Sequence, residues 1–203
     1  MSSSEHADDL ADPKRRKVLQ QATAAAGGLT LAAASFPFLA SLAPSERARA
    51  GGGPVEADLS PVSPGELVTV EWRGKPVWIL RRTPDMLSRL QSVRAELTDP
   101  DSGVDSQQPQ YARNPARSVR PELFVTVALC THLGCIPSYR PEPGSLQPGW
   151  PGGFYCPCHG SKFDLAGRVF RGSPAPTNLV VPAHSFESQA RLVIGRDAEG
   201  DAK

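Results

Sequence analysis

All four cysteines of this 203-residue chain, and two of its four histidines, fall in two short stretches, Cys130-Thr-His-Leu-Gly-Cys135 and Cys156-Pro-Cys-His-Gly-Ser161. The first reads C-x-H with a further cysteine three residues on, and the second reads C-x-C-H. Each stretch can supply one thiolate and one imidazole from neighbouring backbone, with one cysteine left over. Two thiolates and two imidazoles contributed pairwise suit a [2Fe–2S] cluster in which two Cys hold one iron and two His the other. The leftover cysteines are then free to staple the stretches together. A Cys2His2 zinc site has the same donors. Zinc fingers, however, segregate ligands into a Cys half and a His half, whereas both halves here mix the two. Two plain disulfides would leave the histidines unexplained.

These two boxes resemble the cluster-binding boxes of the Rieske iron–sulfur subunits of quinol–cytochrome c reductases, and the resemblance extends over nearly the whole chain. Carried over position by position, it implies that Cys130 and Cys156 ligate the inner iron and His132 and His159 the outer iron. It implies a disulfide between Cys135 and Cys158. Gly172-Ser-Pro-Ala-Pro176 resembles the family's proline-rich loop, which covers the cluster from a third side. The resemblance also implies cytochrome b and a c-type cytochrome as partners in a dimeric complex, quinol as substrate, and a bacterial inner-membrane location with the head on the periplasmic side.

Length and composition agree with this outline. The chain has room for one domain plus appendages. Its formal net charge of +1 implies no nucleic acid or other polyanion as partner. The 21 prolines and 18 glycines lie mostly outside the N-terminal fifth and favour a turn-rich β fold. A stable disulfide argues for an oxidising compartment.

Along the chain, residues 1–17 read as a polar cytoplasmic tail in which His6 is inert, ending in Lys14-Arg15-Arg16-Lys17. No charged residue occurs from Val18 to Ser45, which suits a single transmembrane anchor at 18–44 with the basic side in the cytoplasm. Arg15-Arg16 before Val-Leu fits a twin-arginine export signal. Ala48-Arg49-Ala50 offers a cleavage site as the alternative, and the resemblance implies a retained anchor. Pro37 kinks the helix or marks its last turns. Residues 45–65, loosest at Gly51-Gly52-Gly53, read as a flexible neck, and 66–203 as the head, with a cluster-binding subdomain at about 124–178.

Pattern and resemblance together predict a mainly β head, an antiparallel β-sandwich with one short helix. Residues 67–72 and 76–81 alternate around Arg73-Gly74-Lys75 as a hairpin. Thr83-Pro84-Asp85 opens a helix from Met86 to Leu97, with Met86, Leu90, Val93 and Leu97 on one face. Residues 98–119 read as loop, 124–129 as a buried strand into the first box, 137–153 as successive turns, and 154–155 as a strand into the second. The segments 179–181 and 191–194 read as closing strands, with His184 between them as a surface or satisfied core histidine.

Replacing two thiolates by neutral imidazoles removes negative charge from one iron and raises the potential to roughly −150 to +300 mV, against about −400 mV for plant-type ferredoxins. That range suits electron uptake from quinol, and the ring edge of His132 or His159 can take a quinol proton in the same event. Ser161 can donate its hydroxyl to a bridging sulfide and raise the potential. The family usually carries a tyrosine donor at the position of Phe163, so that donor is missing here. Leu133 and Pro174, with Phe163, would shield the cluster, and the first two would offer an apolar face to a quinone pocket. The Rieske subunit of an arsenite oxidase and a membrane-tethered zinc-binding module are the competing readings.

Overall fold

The computed structural model describes residues 13–45, 51–197 and 200–201. The polar tail up to residue 12, His6, and the neck residues 46–50 lie outside the described residues. The chain divides into two units, one up to Arg49 and one from Ala50.

The first unit contains α1 (Pro13–Ser41), a 29-residue helix with no buried residue. It is long and apolar enough to cross a membrane, about 43 Å at 1.5 Å per residue. It begins at Pro13, a position suited to a proline, and so takes the basic run into its first turns instead of starting at residue 18. Pro37 falls in its last turns. The Thr30 and Ser35 hydroxyls donate to carbonyls four residues back, at 2.8 and 2.7 Å, so these polar groups are satisfied within the helix.

Among the described residues of the second unit the strands are β1 (Val55–Asp58), β2 (Leu67–Trp72), β3 (Lys75–Arg81), β4 (Leu123–Val127), β5 (Ser138–Arg140), β6 (Gly153–Tyr155), β7 (Lys162–Phe163), β8 (His184–Phe186), β9 (Arg191–Ile194), β10 (Arg196–Asp197) and β11 (Gly200–Asp201), with one α-helix, α2 (Pro84–Ser92). They form three antiparallel sheets, β1-β9-β8, β2-β3-β4 and β5-β6-β7, and a β10-β11 ribbon. The β2-β3 hairpin turns through Arg73 and Gly74, both at positive φ (51° and 69°), as a tight two-residue turn requires.

The sheet β2-β3-β4 is covered on both faces. Val77 and Ile79 of β3, with Leu123, Val125 and Val127 of β4, pack against Ala57, Leu192 and Ile194 of the β1-β9-β8 sheet. The alternate residues Trp78, Leu80 and Phe124 pack on the other side against Phe154, Phe163, Cys130 and Cys156. Strand periodicity of two thus divides β3 and β4 between two cores, and all five residues of β4 are buried. Thr126 is the polar exception within it, and its hydroxyl donates to the Val180 carbonyl at 2.9 Å.

Four expectations are corrected. The neck was expected to run to residue 65, but Val55–Asp58 pairs with Asp58↔Arg191 through Val55↔Ile194 as an outer strand, and Leu59 and Val62 are buried. The helix capped by Thr83, whose hydroxyl accepts from the Met86 amide at 3.2 Å, stops at Ser92 instead of Leu97. Val93 and Leu97 are buried as their spacing suggests, but in a small core with Trp150 and Phe170. Leu97 forms a β-bridge with Phe170, so tertiary pairing overrides the helical period. The 137–153 stretch contains the short β5, and residues 179–181 belong to no strand. The Val180 carbonyl accepts from Val127 N at 2.7 Å, and the pairing strand is β8.

His184 opens β8 and is 1% exposed. Its Nδ1 lies 2.9 Å from the Pro182 carbonyl, which fixes Nδ1 as the protonated donor, and Nε2 has no partner. Burial lowers its pKa, with the Pro182 hydrogen bond and Asp197 opposing that pull. An unfolded histidine titrates near 6.5. Below that pH the unfolded chain binds a proton that the folded one refuses, so the stability is fully present above about 6.5 and is lost as pH falls. Unfolding free energies measured from pH 7 to 5 should fall by up to about 1.4 kcal/mol per pH unit from this residue, and His184→Leu should flatten that component.

Candidate metal centre

Strand β4 delivers the chain into the first box, and the second box joins β6 to β7. The two boxes are the same backbone turn built twice. Cys130 N donates to Cys135 O at 2.8 Å while Cys130 O accepts from Gly134 N at 2.9 Å, and Cys156 N donates to Ser161 O at 2.8 Å while Cys156 O accepts from Gly160 N at 2.9 Å. Gly134 and Gly160 sit at φ of 80° and 83°, a conformation that glycine adopts without strain. Because the turns match, the offset of each side chain within its box decides where it points.

The outcome sorts the six candidate residues. Cys135 and Cys158 form a disulfide, as the resemblance implied. Cys130 and Cys156 are unoxidised, buried and share one core. His132 and His159 meet edge to face, ring centroids 4.8 Å apart, with His132 half-buried and His159 exposed. The sulfurs of Cys135, Cys156 and Cys158 also lie within 4.8 Å of one another, but two of those are spent in the disulfide. That leaves Cys130 and Cys156 as the sulfur donors. Burial pushes the Cys156 thiol up, its backbone hydrogen bonds from Cys158 and His159 opposing. A buried thiol pushed up in this way is a poor nucleophile, and Cys156 suits a site where metal supplies the counter-charge. The donor set therefore fits a [2Fe–2S] centre with mixed ligands.

The proline-rich loop is fastened to both boxes. Thr131 donates its hydroxyl to Thr177 O at 2.7 Å, and Ala175 N donates to Ser161 Oγ at 3.0 Å. Lys162 N donates to Ser173 Oγ at 3.1 Å. Ser161 is fully buried, and accepting from Ala175 leaves its own O–H to donate. Pro174 is exposed, as are Leu133 (71%), next to His132 in the first box, and Ile136 (56%), directly after that box. Phe163 is fully buried beside Cys130 and Cys156, so it forms the back wall and not an outer shield.

Sequence reasoning missed Ile136, Thr131 and the brace under the inter-box segment. Arg89, on α2, donates Nη1 to the carbonyls of Pro141 (2.9 Å) and Pro151. Ile136 adjoins the first box and could have been read from its apolar character. No local signal identifies Arg89, whose partners lie 52 and 62 residues away.

A model of the Rieske [2Fe–2S] domain matches residues 55–186. The ubiquinol–cytochrome c reductase iron–sulfur subunit of Allochromatium vinosum is 54% identical over 185 residues, covering 90% of this chain and 89% of its own length. The subunit of the same name from Blastochloris viridis is 42% identical over 187 residues, covering 92% and 96%. That of Bradyrhizobium diazoefficiens is 40% identical over 184 residues, covering 90% and 95%. With a domain match that starts on β1 and relatives that span the anchor and head alike, the chain belongs to the Rieske iron–sulfur protein family, and the cofactor of its two boxes is a Rieske [2Fe–2S] cluster.

Proposed function

We propose that this chain is the membrane-anchored electron-transfer subunit of a ubiquinol–cytochrome c reductase. Cys130 and Cys156 hold the inner iron, His132 and His159 the outer one, and the chain works with a cytochrome b and a c-type cytochrome in a dimeric complex. The quinol pocket lies in the cytochrome b, so this subunit is not catalytic alone. The observation that carries the ligand assignment is the sorting of donors by depth: two unoxidised thiols inside, two imidazoles converging at the surface.

When bound, such a cluster supplies one-electron chemistry at roughly −150 to +300 mV. The chain's own residues do the rest. The exposed His159 ring accepts a hydrogen bond from the quinol hydroxyl and holds the proton at its nitrogen not bound to iron, with His132 beside it in the same role. Leu133, Ile136 and Pro174 exclude water from that contact. Ser161 donates its hydroxyl toward the sulfur atoms of the site. Lys14-Arg15-Arg16-Lys17 keeps the N-terminus on the cytoplasmic side, which sends the head to the periplasmic side of the inner membrane. The disulfide agrees with that compartment, and a twin-arginine route would export the head already folded.

The test is an EPR-monitored redox titration of the full chain extracted from membranes. A rhombic [2Fe–2S] signal, reducible by ascorbate and with a mean g below that of all-cysteine ferredoxins, supports the reading. A colourless, EPR-silent protein with stoichiometric zinc refutes it.

Phe163→Tyr should raise the cluster potential. The phenol would place one additional donor among the sulfurs, at roughly 1 kcal/mol per hydrogen bond, or about 40 mV for one electron. The same titration checks this, and an unmoved or lowered potential would show that the back wall has no acceptor within reach.

A further inference from the structure

Behind the metal centre lies a second charged cluster to which the proposed function assigns no role. Among the described residues, the buried charged side chains are Arg82 (2% exposed), Arg117 (0%), Arg168 (1%) and Asp164 (1%), three cations against one anion. Asp164 and Arg168 neutralise each other: Oδ2 accepts from Nε at 2.8 Å and lies 2.7 Å from Nη2. Asp164 Oδ1 accepts from the Ala166 and Arg168 amides at 3.0 and 2.8 Å. No carboxylate hydrogen-bonds the other two guanidiniums among the described residues. Arg82 donates to Pro121 O (2.8 Å), Leu165 O (3.2 Å) and Ser118 Oγ (2.7 Å). Arg117 donates to Ala166 O (3.2 Å), Gly167 O (3.4 Å), Gln107 O (3.2 Å) and Gln108 Oε1 (3.0 Å). These acceptors are all neutral and leave the charge standing, and Arg117 Nε has no hydrogen-bond partner among the described residues.

Burial draws both groups below an ordinary arginine, to about 9 for Arg82 and about 10 for Arg117, with Asp164 as the main opposing influence. Both remain cations at neutral pH. The further carboxylates acting on them, Glu122 for Arg82 and Asp99 for Arg117, are exposed and half-buried respectively, where water screens them.

Both cations converge on carbonyls at 165–167, the turn that continues the second box through β7. The Arg82 guanidinium lies over the Phe124 ring at 5.2 Å, and Phe124 contacts Phe154 at 6.3 Å. Phe124, Phe154, Phe163 and Leu165 share one core with Cys130 and Cys156. These side chains give an apolar path from Arg82 to the thiols, and hydrocarbon screens charge weakly.

We propose that the uncompensated buried charge of Arg82 and Arg117 sets the electron affinity of the metal centre, favouring its reduced and more negative form. This rests on the ligand reading above. An electron arriving at the boxes adds one negative charge there while both guanidiniums keep theirs. At separations on the order of 10 Å and an effective dielectric of about 20, one such charge shifts an equilibrium constant by roughly tenfold.

The experiment is a redox titration of the full chain, with thermal unfolding read alongside. Arg82→Gln should lower the equilibrium constant for reduction about tenfold, and Asp164→Asn should raise it by a similar factor. Arg82→Lys, which keeps the charge and loses the fork, should leave it within about twofold. A purely structural role would move Gln and Asn variants in one direction and Lys as far as Gln, and either outcome overturns the proposal. If Arg82→Gln does not fold, Arg117→Gln carries the same expectation. A wild-type signal whose potential no charge change moves refutes this inference alone. A wild-type chain without a [2Fe–2S] signal refutes the ligand reading and this inference with it.

Discussion

Cys156→Ser, made in the full chain, should abolish the [2Fe–2S] EPR signal and the visible absorption, and reduce quinol–cytochrome c reductase turnover in membranes by more than a hundredfold. The magnitude follows from depth. Cys156 is 2% exposed, and Cys130, the other unoxidised cysteine, is 3% exposed. A serine there has no accessible ionised form to replace the thiolate. His159→Ala should give the same loss of turnover through a different route. His159 is exposed, so its removal disturbs little of the core while deleting both a donor and the quinol contact. Absorption spectra of both variants beside far-UV circular dichroism decide the matter. Retained colour with normal turnover in either would remove that residue from the ligand set. Loss of all secondary structure in His159→Ala would make the residue structural.

Cys158→Ser should lower the thermal midpoint of the head by roughly 10 °C. The Cys135–Cys158 bond closes a loop with a sequence separation of 23 residues, and in the chain-entropy account a loop of that size is worth about 3 kcal/mol. For a domain of this size each kcal/mol moves the midpoint by about 2–4 °C. The consequence at the metal centre should be larger than the stability figure suggests, because this is the one covalent tie between the boxes. Without it, relative placement of His132 and His159 depends on the hydrogen bonds from Thr131 and Ser161 to a common loop. Calorimetry of the variant and of the wild type with and without a thiol reductant measures the effect. Equal midpoints in all of them would mean that the loop is already held by the Arg89 brace and the β5-β6 pairing.

The chemistry was legible because it is local. Six residues within two six-residue boxes carried the donor set, and the repeated turn aligns Cys130 with Cys156 and Gly134 with Gly160, while the histidines and the disulfide cysteines sit at different offsets in each box. The β2-β3 hairpin was legible for the same reason, its turn and alternation lying within one short stretch. Where readings failed, the deciding partner was distant. Val55–Asp58 is a strand only because Arg191–Ile194 exists, and four residues of VEAD carry no period of their own. Leu97 left the helix for a bridge with Phe170, and β8 rather than Leu179–Val181 pairs with β9. Buried Arg82, Arg117 and Arg168 were invisible for a related reason. Arginine reads as surface until the carbonyls that receive its donors are known.

The pairing of β1 with β9 also decides how the head bears load. A pull on the chain ahead of Val55 enters an outer strand held antiparallel to β9 along its length, so the hydrogen bonds from Val55 to Asp58 are stressed together in shear. The β1-β9-β8 sheet rests on one face of β2-β3-β4, and the two boxes adjoin the other. Force applied ahead of Val55 is therefore received on the side of β2-β3-β4 opposite the two boxes.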